Sequence, residues 1–172
     1  MSKKNKLKAE LILEVAQLQE RVAELETADA EQKQALEMLQ DSEHRFRTIY
    51  TDAAIGIDIA DADGSPIIAN RALQEMLGYS EDELRRMVFA DYTHPDDIED
   101  SLRLAQEVRE GKRDHFTMEK RYIRKNGAVI WGHTSVSGLR DARGNFQYFI
   151  AMVDDITERK QAEDALQIER DN

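Results

Sequence analysis

The chain has 172 residues, 41% of them apolar and 34% charged, with a formal net charge of −11 and no cysteine. That length holds one ordinary domain with flanking helix rather than two full domains. The missing cysteine excludes disulfides, thiolate catalysis and cysteine-ligated metals, and so acidic a surface repels the phosphates of nucleic acid.

Residues 1–40 contain no Gly or Pro and are rich in Ala, Glu, Leu, Gln and Lys, so they predict one long helix. Leu11, Val15, Leu18, Val22 and Leu25 follow one another at spacings of 4, 3, 4 and 3. In heptad terms Val15 and Val22 take a positions, and Leu18 and Leu25 take d positions. β-Branched a residues with Leu at d favour a parallel two-stranded coil, so a parallel homodimer is expected. The same frame places Asp29 and Gln32 on the seam before Leu36 and Leu39, a polar gap that weakens the coil or sets its register. A single amphipathic helix lying on its own domain is the alternative. The basic start at Lys3, Lys4, Lys6 and Lys8 reads as a solvated helix end. Glu10 and Glu14 interrupt the apolar stretch that follows and no small-residue cleavage site appears, so neither a signal peptide nor a membrane span is expected. The compartment implied is the cytoplasm.

Residues 41–157 change character, with glycines, aromatics and short alternating runs. The runs at 55–60 and 65–70 predict two strands joined by the turn Asp61-Ala62-Asp63-Gly64. Helical spacing follows from Arg71, with Gly78 ending a first short helix and Ser80 with Glu83 forming a capping box for the next. Pro95 suits the first position of a further helix, with Asp96 and Asp97 in its first turn and Gly111 as its stop. Three longer strands are predicted at about 114–124, 128–140 and 145–154, separated by turns at Asn126-Gly127 and Arg143-Gly144-Asn145. Two strands, several helices and a three-stranded meander define an α+β fold with an antiparallel sheet. The last strand is apolar on both faces, so its second face calls for cover by a flanking helix or a partner subunit. Residues 155–172 return to polar helix, with Asp155 as cap and Glu158 as the reciprocal capping-box residue. That helix reaches Asn172 without a stop signal, so it either frays or continues in a longer chain.

The stretches EHRFRTIYTDAAIGI, IIANRALQEMLGYSEDEL, HPDDIEDSL, RYIRKNGAVIW and DDITERKQAE together resemble the PAS domain with its C-terminal PAC portion, over residues 43–160. The resemblance implies a five-stranded antiparallel sheet with helices over one face, and a small-molecule site between them. It also implies flanking helices that carry a signal to an effector such as a histidine kinase or a diguanylate cyclase. The organisation expected is an N-terminal coiled-coil helix at 1–40, a PAS domain at 41–157 and an exit helix at 158–172. Neither effector is present in the sequence, which reads as part of a longer protein or as a short stand-alone PAS protein.

Met118, Trp131 and His133 are the pocket candidates, and Met76, Met87 and Met152 are alternative lining residues that equally suit a core. In haem-binding PAS sensors the proximal histidine comes from the helix before the third strand; here that helix has none, although His115 lies just beyond it. His44 reads as solvated and His94 as structural. A light-active flavin needs a cysteine for its adduct, so neither haem nor photoactive flavin is expected and the ligand is left unknown. The acidic group Asp96, Asp97, Glu99 and Asp100 suits a helix start better than a metal. No catalytic constellation stands out. Asp155 and Thr157, in the closing Asp154-Asp155-Ile156-Thr157 segment, are the expected output residues. The leading reading is a ligand- or redox-responsive input module. A ligand-free dimerisation scaffold and an acidic adaptor using the sheet face are the rivals.

Overall fold

The computed structural model describes residues 3–170, with side chains from Lys8 onward except Ala9. The side chains of Lys3, Lys4 and Lys6 in the basic start, and Asn172 at the chain end, lie outside that description. The chain divides into two units between Thr48 and Ile49.

Helix α1 (Lys3–Asp52) runs for 50 residues without a break, as a stretch with neither Gly nor Pro allows. Its polar surface is laced by ion pairs one turn apart, Arg21 with Glu24 at 3.1 Å and Arg47 with Glu43 at 2.7 Å. The apolar seam is exposed among the described residues. Leu11, Val15, Leu18, Val22, Leu25, Leu36 and Leu39 all expose more than half of their surface.

The second unit contains β1 (Gly56–Ala60), β2 (Pro66–Ala69), α2 (Arg71–Leu77), α3 (Glu81–Leu84) and α4 (Pro95–Arg109). Strands β3 (His115–Ile123), β4 (Val129–Arg140) and β5 (Phe146–Asp155) follow, then helix α5 (Thr157–Arg170). The five strands form one sheet in the order β2-β1-β5-β4-β3, with every pairing antiparallel. A 3-10 turn at Phe89–Tyr92, which alternation and helix signals do not reveal, leads into α4. The expected punctuation is in place. Gly78 closes α2 at φ 80°, Ser80 and Glu83 form the capping box of α3, and Pro95 opens α4. His94 is a cap, its Nδ1 accepting from Asp96 N at 3.3 Å.

The helices cover one sheet face. Leu73, Leu77 and Leu84 are almost fully buried there, with Tyr92, Tyr122, Ile130 and Val153 around them. A second cluster gathers Val108, Phe116, Val136 and Phe149. Each such apolar side chain contributes about 1.5–3 kcal/mol on burial. Asn70, 1% exposed, fastens three segments. Its Oδ1 accepts from Ile57 N and Leu73 N, and its Nδ2 donates to the carbonyls of Tyr50 and Ile55. Gly132 is required by close approach, since a Cβ there would stand 2.5 Å from the Tyr122 ring. The opposite sheet face is largely uncovered among the described residues. Tyr148 and Met152 on β5, and Val129 and Leu139 on β4, are exposed there, so the second apolar face of β5 receives no cover within its own unit.

Candidate functional site: a charged cavity and the joint to the last helix

Between the helices and the sheet lies a cavity of about 50 Å³, large enough for a few water molecules or a ligand of a few heavy atoms. Alternate residues of each strand face it: Asp58 and Ala60 from β1, Lys120 and Tyr122 from β3, Thr134 and Val136 from β4. The apolar wall includes Leu73, Phe89, Phe116 and Phe149.

Two opposite charges are buried in this wall, Asp58 at 7% and Lys120 at 4% exposure. Lys120 Nζ donates to Thr93 Oγ1 at 3.1 Å and to Ser101 Oγ at 3.5 Å. Those hydroxyls donate in turn to the carbonyls of Phe89 and Asp97, both at 2.7 Å, which turns their lone pairs toward the ammonium. The rings of Tyr122 and Phe89 stand 4.8 and 5.1 Å from Nζ, within cation–π range. An ammonium has three N–H donors, so one remains without an oxygen partner among the described residues. Burial pushes the Lys120 ammonium down to about 8, opposed by the nearby Asp58 and Asp97 carboxylates.

Asp58 has no such support. Its carboxyl accepts no hydrogen bond among the described residues and forms no ion pair within 4.0 Å. Burial therefore pushes its pKa up to about 7, with Lys120 pulling the other way. Tyr122 Oη and Thr134 Oγ1 share a hydrogen bond of 2.6 Å. The Tyr92 hydroxyl is buried without a partner among the described residues.

The sequence candidates stand elsewhere. Trp131 and His133 occupy the odd-numbered phase of β4, opposite Arg121 and Glu119 of β3, whereas the cavity takes the even-numbered phase. Both therefore lie on the outer sheet face, His133 exposed and Trp131 half-buried. Met118 is on the inner side of β3 but packs into the second apolar cluster, where its sulfur stands 3.6 Å from Ser101 Oγ. None of the four histidines lines the cavity. Asp58 escapes sequence reading because IGIDIA shows three isoleucines in the opposite phase. Lys120 carried a signal, since it falls in the same alternating phase as Phe116, Met118 and Tyr122.

Trp131 belongs to the joint with α5. Its carbonyl accepts from Ile156 N at 2.9 Å, and its N–H donates to Thr157 Oγ1 at 2.9 Å. Thr157 Oγ1 donates to Asp155 Oδ1 at 2.5 Å, and the same carboxylate oxygen accepts from Thr157 N. Asp155 thus caps the helix start, while the Glu158 half of the expected capping box is absent among the described residues. Thr157 fills that place by tying the cap to β4. Glu119 adds a second tie, pairing with Arg159 and Lys160 at 2.6 Å each, which pull its carboxyl down to about 2. Lys160 also stands 5.2 Å from the centre of the Trp131 ring.

The family model described as the PAS fold matches residues 66–153. The chain belongs to the PAS family, a sensory fold rather than a catalytic one, and is a sensory signalling module. The probable diguanylate cyclase DgcE of Escherichia coli is 37% identical over 73% of this chain. The sensor histidine kinase TmoS of Ectopseudomonas mendocina is 33% identical, also over 73%. The matches span 11% and 13% of those two relatives' own lengths. Among solved structures, the PAS domain of a Colwellia psychrerythraea protein superposes with a TM-score of 0.62 at 18% identity, over 67% of this chain and 97% of that one. No helix of the described residues is long and apolar enough to cross a membrane.

Proposed function

We propose that the chain is an input module in which the state of the charged cavity is passed to an effector through α5, while α1 pairs two copies of the chain in parallel. One observation carries this reading: β3 presents the cavity and the output joint on its alternate faces. Lys120 and Tyr122 face inward, and the alternate residues Glu119 and Arg121 face outward. Glu119 holds Arg159 and Lys160 of α5. A small rotation of β3 on ligand binding therefore moves both ends together. Asp155 and Thr157 are the output residues, and Trp131 is the sheet residue to which they are tied. The names of the two relatives favour a diguanylate cyclase or a histidine kinase as the effector in the full protein. The uncovered seam from Leu11 to Leu39 supports the dimer, since a long apolar stripe on one helix is normally buried between chains.

The test is a fusion of the chain to a diguanylate cyclase domain through α5. Glu119→Arg should shift basal output several-fold, and Arg159→Glu in the same chain should partly restore it. Unchanged output from a folded Glu119→Arg variant would remove β3 from the route. The small cavity favours one second reading, a ligand-free dimerisation scaffold. Native mass spectrometry separates the two, because a bound small molecule is incompatible with the scaffold.

A further inference from the structure

The cavity's polar groups restrict what it can hold. Burying a charge without a partner is costly, yet Asp58 and Lys120 face one space without forming an ion pair within 4.0 Å. An apolar ligand leaves both charges unanswered. An inorganic anion suits Lys120 and is repelled by Asp58, and a metal cation meets the reverse problem. An uncharged diol supplies hydrogen bonds but no charge for the ammonium. The complementary molecule has a carboxylate at one end and a donor close by. The apolar wall accepts a short carbon chain. A water molecule needs about 10–15 Å³ of such space, so 50 Å³ corresponds to roughly three to five water positions.

Building on the reading of this cavity as the sensory input, we propose that it binds a short carboxylate with a hydrogen-bond donor on the neighbouring carbon. This is a 2-hydroxy or 2-amino acid of up to about six heavy atoms. Its carboxylate pairs with Lys120 and its donor with Asp58. The ligand thereby supplies the bridge between β1 and β3 that the two buried charges lack.

The test is calorimetric titration of the full chain with glycolate and with glycine, using acetate and ethylene glycol as controls. Acetate keeps the charge without the donor, and ethylene glycol keeps the hydroxyls without the charge. At least one of glycolate and glycine should bind about tenfold or more tightly than either control; whichever binds distinguishes a hydroxy acid from an amino acid. Asp58→Asn should bring that ligand to within about threefold of acetate, and Lys120→Met should abolish binding. The wild-type comparison stands alone should Lys120→Met fail to fold. Equal affinity for acetate and glycolate, or no binding of any of the four, overturns the proposal. A different class of molecule found by native mass spectrometry would overturn the ligand class alone. An empty cavity, together with effector output unmoved by filling it, would overturn the sensory reading as well.

Discussion

Replacing Thr157 by valine removes one hydroxyl and little volume, and the structure makes that hydroxyl the link between sheet and last helix. Thr157 Oγ1 accepts from Trp131 N–H at 2.9 Å and donates to Asp155 Oδ1 at 2.5 Å. Valine leaves a partly buried N–H without its acceptor, which costs about 1–3 kcal/mol. Asp155→Ala removes the helix cap and its bond from the Thr157 hydroxyl but leaves the tie to Trp131, and should cost about 1 kcal/mol. Thr157→Ser keeps both bonds and should stay within about 0.5 kcal/mol of the parent. Because α5 has no buried residue of its own, the loss should appear first as local opening. Hydrogen exchange across residues 157–170 is the direct assay. The valine variant should exchange roughly five- to hundredfold faster in the first turn, following the energy above. If valine and serine variants exchange alike, the tie through Thr157 is not what holds the helix.

Leu18→Asp with Val22→Asp should dissociate the proposed dimer at micromolar concentration, because both sit on the exposed seam; light scattering showing an unchanged dimer would move the interface off α1. Asp58 has its folded-state pKa raised from 3.8 to about 7, so the folded form binds the proton more tightly and stability falls as pH rises through that window. Lys120, depressed from 10.5 to about 8, has the other sign, with stability rising between those values. The groups around Asp58 are Lys120, Tyr50, Tyr92 and Tyr122. Urea titrations across pH 4–7 should therefore show a downward slope that Asp58→Asn removes; parallel curves for parent and variant would contradict the burial. Gly132→Ala should destabilise the unit by about 1–3 kcal/mol, since its Cβ would meet both Tyr122 and Val153 within 3.0 Å. A denaturation midpoint equal to the parent's would show that the sheet absorbs the methyl group.

Local chemistry made most of the scaffold legible. Gly78, Ser80 with Glu83, and Pro95 each mark a helix boundary through one hydrogen-bond or dihedral requirement, and the structure meets each requirement. Strand alternation located all five strands to within a residue or two. Alternation does not say which phase faces inward when both phases mix polar and apolar residues. In β4, Trp131 and His133 share a phase with Val129, while Ile130, Thr134 and Val136 occupy the other. The aromatic suggested a pocket wall, but the small inner residue Gly132 leaves the space that Tyr122 fills from β3. Asp58 was hidden for a related reason. A carboxylate between two isoleucines reads as the solvent side of a strand, and only the tertiary structure shows that it faces the same cavity as Lys120. The joint was half visible, since the capping role of Asp155 is local. The partnership of Thr157 with Trp131 spans 26 residues and has no local signature.

The account rests on a route from the cavity to α5, and one measurement addresses it without knowledge of the ligand. Ala105 of α4 lines the cavity, and Ala105→Leu adds three carbons that occupy its space. In the chain fused through α5 to a diguanylate cyclase domain, cyclic dinucleotide formation is compared between parent and variant, with folding followed by circular dichroism. The account predicts a several-fold change in output with the fold intact. Identical output from a folded Ala105→Leu fusion would contradict it.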